Sequence, residues 1–121
     1  MKETMNAHYA LLQFVDDERL EVANVGMVLI IPEAELARLR LGQNQVAKMM
    51  VERFGSTSGF EVMLEGFAER LRNNLQWNVS PKVIENFKPS GDNPLCVSVV
   101  RDCIIRDPDA DFERLFNRLV N

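Results

Sequence analysis

His8-Tyr9-Ala10-Leu11-Leu12-Gln13-Phe14-Val15 and Val22-Ala23-Asn24-Val25-Gly26-Met27-Val28-Leu29-Ile30-Ile31 flank one compact acidic turn, Asp16-Asp17-Glu18-Arg19-Leu20-Glu21. Two apolar runs rich in branched and aromatic side chains around a polar turn specify a β-hairpin. Neither run alternates cleanly between apolar and polar residues, so both faces of the hairpin are expected to be covered. Asn24 and Gly26 are the only interruptions of the second run.

Around that hairpin the chain reads as a single α+β domain over residues 1–121, a length that can bury a core without metal or disulfide support. Pro32-Glu33-Ala34-Glu35-Leu36-Ala37-Arg38-Leu39 opens with proline and acidic residues, which suits a helix N-terminus, and Gly42 supplies its end. A second helix is predicted over residues 44–54, where Val46, Met49, Met50 and Phe54 recur at helical spacing. In a third, Ser58 and Glu61 form a capping-box pair; Phe60, Met63, Leu64, Phe67, Leu71 and Leu75 line one face, and Glu61, Glu65, Glu69 and Arg72 the solvated one. From Gln76 to Pro94 the pattern dissolves into a long loop broken by Pro81, Pro89 and Pro94, parts of which Trp77 and Phe87 are expected to pack. Leu95 to Ile105 reads as one further strand. Asp107 then caps a closing helix begun by Pro108, with Phe112, Leu115, Phe116, Leu119 and Val120 on its apolar stripe. The sum is a small, mainly antiparallel sheet packed by three to four helices.

A net charge of −4 argues against a general binder of phosphate backbones, which usually clusters Lys and Arg. A local patch from Arg38, Arg40, Arg70, Arg72, Arg101 and Arg106 stays open, but direct DNA binding ranks last. No apolar run approaches the length of a membrane span, and residues 1–6 lack the apolar core of a signal peptide, so a cytoplasmic protein with no membrane partner is expected. Cys96 and Cys103 fit that compartment; in one continuous strand their spacing would set them on opposite faces, as small apolar residues rather than a disulfide. Two cysteines and one histidine fall short of a zinc site.

The acidic turn is the one dense carboxylate cluster. Asp16, Asp17 and Glu21, with Asp102 as a further member, could hold a divalent cation for phosphoryl chemistry; the competing reading, which we favour, is a solvated turn. His8 stands without a nucleophile motif, so no catalytic residue is assigned, and no metal ligand or cofactor either. Asn24 and Gly26, two apart, would share a strand face. They mark either a surface where a ligand or partner rests or an internal polar tie crossed by a helix, and the tie is favoured because buried polar groups are usually satisfied within a domain. The candidate binding residues are thus Asn24, Gly26, Asp16, Asp17, Glu21 and Arg101.

Tyr9, Phe14-Val15, the acidic turn with Arg19 and Glu21, and Asn24-Val25-Gly26-Met27-Val28-Leu29 together resemble the opening of the bacterial domain-of-unknown-function family 3037. Asp107-Pro108-Asp109-Ala110-Asp111, leading into Arg114-Leu115-Phe116 and Leu119-Val120, is similar to that family's closing helix. Gln13 stands where many relatives carry arginine, and Asp16 where proline is common. The resemblance implies no established activity, cofactor or catalytic residue. It implies a bacterial accessory protein, since relatives are often encoded beside HipA-like kinase genes, in a toxin–antitoxin or defence setting. Two functions are therefore expected in competition: a non-enzymatic module that binds a protein partner such as a HipA-like kinase, with homo-oligomerisation open, and a metal-dependent enzyme acting on nucleic acid or nucleotides through the acidic turn.

Overall fold

The first apolar run becomes β1 (Met5–Asp16) and the second β2 (Glu21–Ile31), antiparallel and in register from His8 opposite Ile30 to Asp16 opposite Glu21. The structure, a computed structural model, describes residues 3–16, 21–42, 57–87 and 95–120. Among them a five-stranded antiparallel sheet runs in the order β3-β2-β1-β4, with β5 on the same side of β1 as β4. Three helices follow the α+β expectation: α1 (Thr57–Trp77), α2 (Pro81–Glu85) and α3 (Pro108–Leu119).

Both sheet faces are covered, which is why the hairpin runs do not alternate. On one face Ala10, Leu12, Phe14, Val25, Val28 and Ile30 pack against Leu64, Phe67, Ala68, Leu71 and Leu75 of α1 and Ile84 of α2. On the other, Ala7, Met27, Leu29, Ile31 and Ile105 pack against Phe112, Phe116 and Val120 at the α3 end of the chain. Each fully buried Leu, Ile or Phe contributes about 1.5–3 kcal/mol of transfer free energy. Two such clusters back to back make β1 and β2 the centre of the molecule.

A bulge sets the phase of β2. Leu12 lies opposite Gly26 but Gln13 opposite Asn24, so Val25 is an extra residue. The two halves of β2 therefore swap faces: Val25 shares the α1 face with Val28 and Ile30, while Met27 faces α3. This corrects the expectation that Asn24 and Gly26 share a face. Asn24 donates to Leu119 O on the α3 side, whereas a Cβ on Gly26 would point at Leu12 and Leu41.

The predicted helix over Pro32–Leu39 is a strand for most of its length. Pro32–Ala34 form one 3-10 turn, Glu35 takes a left-handed φ of 51°, and the chain returns as β3 (Leu36–Leu41) beside β2. Alternation decides it: Ala37, Leu39 and Leu41 oppose Arg38 and Arg40, and the open edge of β2 outweighs the local helix-start signal. The predicted helix at residues 44–54 lies outside the described residues.

α1 is already helical at Thr57, so Ser58 stands inside it rather than capping it. Glu61, Glu65, Glu69 and Arg72 are exposed as expected. The stretch read as a loop from Gln76 is partly helical: Ser80 accepts from the Lys82 N–H and Pro81 opens α2, burying Ile84. Phe87 is buried as expected. The single strand expected over Leu95–Ile105 is two, β4 (Leu95–Val97) and β5 (Arg101–Ile105). Val97 faces Leu12 and Arg101 faces Tyr9, so three residues span two on β1. Ser98 bridges the break, its N–H donating to Leu11 O (2.9 Å) and its Oγ accepting from Leu11 N (2.8 Å). The break also sets Cys96 opposite Gln13 and Cys103 opposite Ala7, hence on one face rather than two, roughly 20 Å apart along β1. Both thiols are free, and burial pushes both above their ordinary pKa. Among the described residues no helix is long and apolar enough to cross a membrane.

Candidate functional site

α1 ends in solvent. Its buried stripe closes at Leu75, and Trp77 stands two residues on, about 200° around the helix and away from the sheet. The indole is 90% exposed, the most open large apolar side chain among the described residues. Trp77 was expected to pack; the helix runs far enough to turn it outward instead. Its spacing from Leu71 and Leu75 was the signal in the sequence that could have found this.

A shallow depression of about 430 Å³ runs beside it, between the last turn of α1 and α2. Asn74, Asn78, Lys82 and Asn86 line it with the apolar Val83 and Phe87. Its floor is packed from below: Phe87 meets Phe67 edge to face at 5.1 Å between centroids, and the Arg70 guanidinium lies 5.4 Å from the Phe87 centroid. Exposed tryptophan bordered by neutral amides and one lysine can exchange water for an apolar partner group while hydrogen bonding around it. A lone scattered apolar side chain needs no explanation; this one, the largest apolar type, borders a depression already formed.

The sequence-derived candidates lie elsewhere and apart. Asn24 is an internal tie: it accepts from Gln13 Nε2 and donates from Nδ2 to Leu119 O, each at 3.0 Å. Gly26 provides room for β3, because a Cβ there would stand 3.0 Å from Arg40 O. Asp16 and Glu21 are backbone partners in register at the hairpin end, and Asp17 lies outside the described residues. Arg101 is exposed opposite Tyr9, roughly 23 Å along β1 from Asp16. Asp102 does not join the acidic turn. It pairs with His8 near the far end of β1, Oδ1 lying 2.8 Å from Nδ1. That pair borders a cavity of about 700 Å³ with Asn6, Ala7, Cys103 and Ile104. Among the described residues no three His, Cys, Asp or Glu side chains converge for a metal ion.

The arginines of β3 are also engaged internally. Arg38 pairs with Asp109 and Arg40 with Glu113 on α3. Their guanidiniums stack over Phe112 at 5.6 and 5.2 Å.

No curated protein and no solved structure matches the chain. Residues 9–120 match the family "Protein of unknown function (DUF3037)", nearly the whole length from the tyrosine that opens the hairpin to the valine that closes α3. The chain belongs to that family.

Proposed function

We propose that this protein is a non-enzymatic interaction module, an accessory that binds a protein partner through the Trp77 surface. The observation that carries the reading is a 90% exposed tryptophan beside a preformed depression. Tryptophan is the side chain most often responsible for a large share of binding energy at protein interfaces. The bacterial cytoplasm is the compartment we assign. The company kept by relatives makes a HipA-like kinase the first partner to test, in a toxin–antitoxin or defence role.

The test is affinity capture from a bacterial lysate with the tagged chain and its Trp77→Ala variant side by side, read by mass spectrometry. Loss of a buried hot-spot tryptophan costs 2 kcal/mol or more, so a stoichiometric protein recovered by the parent should fall about 30-fold in affinity for the variant. The variant's own stability should stay within about 0.5 kcal/mol, because the indole packs on little. A chain that returns alone, or a partner held equally by both forms, overturns the reading.

A further inference from the structure

The last turn of α1 carries Asn74 and Trp77 at a spacing of three, which sets both on one side of the helix, and Asn78 follows directly. Lys82 and Val83 of α2, with Asn86 at its end, line the same depression. Asn74, Trp77, Asn78, Lys82 and Asn86 are all exposed, whereas Phe87 is buried.

The polar groups of this surface are mainly uncharged donors. Each asparagine amide offers two N–H groups and the Lys82 ammonium three. Among the described residues Lys82 is the one charged side chain of the lining. α1 ends at Trp77, and the C-terminal end of a helix is the negative pole of its dipole. One ammonium beside that pole holds a phosphate chain poorly, because such chains are bound by several cations together. The fitting occupant is therefore uncharged here, rich in acceptors, and able to lay an apolar group on the indole.

Backbone chemistry separates the uncharged segments that a protein can offer. A docked helix has closed its own backbone hydrogen bonds, so amides beneath it lose water and gain no acceptor. An added strand needs a facing row of backbone groups, and this lining is built of side chains from two helices. A polyproline II segment has no internal hydrogen bonds, and each proline carries a carbonyl without an N–H. Its acceptors match the donors of this surface, and its rings suit an aromatic face.

We propose that the Trp77 surface takes a proline-rich segment of the partner in the polyproline II conformation. A proline ring lies on the indole, and neighbouring carbonyls accept from the asparagine amides and Lys82. This rests on the interaction-module reading and names the ligand class of the same surface.

Trp77 is the only tryptophan of the chain, so the fluorescence emission of the whole protein reports this surface. The test is a titration with a polyproline peptide of about ten residues, roughly 30 Å long in polyproline II, against a Gly–Ser peptide of equal length. Polyproline should shift the emission saturably to shorter wavelength, and Gly–Ser should not. Asn74→Asp exchanges a donor-bearing amide for an acceptor-only carboxylate of the same shape, and should weaken polyproline about tenfold at nearly unchanged melting temperature. Should that variant unfold, Lys82→Glu, which removes the ammonium donors from α2, is read in its place. No saturable shift, an equal shift with Gly–Ser, or unweakened binding in the variant overturns the assignment. So does a shift given only by an oligosaccharide or an oligothymidylate in the same titration. If polyproline fails while lysate capture still depends on Trp77, the module reading stands and the ligand class falls. If polyproline binds as expected while capture returns the chain alone, the ligand class stands and the lysate partner falls.

Discussion

The two faces of the sheet are sealed by different physics. On the α1 face a 21-residue helix lays Leu64, Phe67, Ala68, Leu71 and Leu75 on the strands, and Arg72 adds one long polar contact to Leu39 O. On the α3 face a 12-residue helix brings Phe112 and Phe116 and is then fastened by polar groups: Asn24 to Leu119 O, Arg38 to Asp109, Arg40 to Glu113, and both arginines over Phe112. Apolar area holds a long helix without choosing its azimuth closely. A short helix buries less, and directional bonds fix where it sits. The difference leaves the α1 side with surplus surface at its helix end, where Trp77 stands open.

The strongest way to break this comparison is Phe112→Ala set against Leu71→Ala, both side chains being fully buried. Truncating a buried Phe costs about 3–5 kcal/mol and a Leu about 2–5. Phe112 should lie at the top of its range because two cation–π contacts go with it. Urea unfolding of both variants measures this, and equal losses would mean that the polar fastening adds nothing. Next is Asn24→Ala, which strips the partner from Leu119 O and should cost about 1–3 kcal/mol. That loss should reappear as faster amide exchange in α3 while α1 stays protected; loss spread evenly over both helices would contradict a local tie. Asp107→Ala removes the cap that accepts from the Asp109 and Ala110 N–H groups, each at 3.1 Å, and should cost about 1 kcal/mol.

The smallest effect is a pH dependence confined to the α3 face. Backbone N–H groups of Arg106 and Asp107 donate to Asp111, and Arg114 lies beside it, so its carboxyl titrates below the usual aspartate range. A folded pKa below the unfolded one means stability that is present above the ordinary value and lost as pH falls through the folded one. Asp111→Asn should therefore flatten the decline of the urea midpoint below about pH 4. An unchanged slope would show that the carboxylate contributes nothing to stability there.

Much of this was legible in the residues. The hairpin, the covered faces, α3 with its Asp107 cap, and the solvated side of α1 all follow from periodicity and capping chemistry. β3 was not, because Pro32-Glu33-Ala34-Glu35 carries a local helix signal that a neighbouring strand edge overrides. Asn24 could be read as a tie but not with its partner, since Leu119 lies 95 residues away. The faces of Asn24, Gly26 and the cysteines were misread for one reason: each bulge shifts a two-residue period by one, and nothing in the local sequence announces where the extra residue falls. Asp102 was grouped with the acidic turn by composition, whereas the register places it beside His8. Trp77 shows the same limit from the other side, because its exposure depends on where α1 stops.

One consequence of the topology concerns synthesis. β1 is bonded to β2 on one side, but on the other it waits for β4 and β5, and His8 meets Asp102 across 94 residues. At a translation rate of about 5–20 residues per second that interval lasts roughly 5–20 s. Throughout it the nascent hairpin carries an unpaired apolar strand, the kind of edge that recruits other chains. The ribosome thus releases this edge before its own cover exists, and yield in the cell should depend on how fast the C-terminal third arrives and whether a chaperone holds β1 until then.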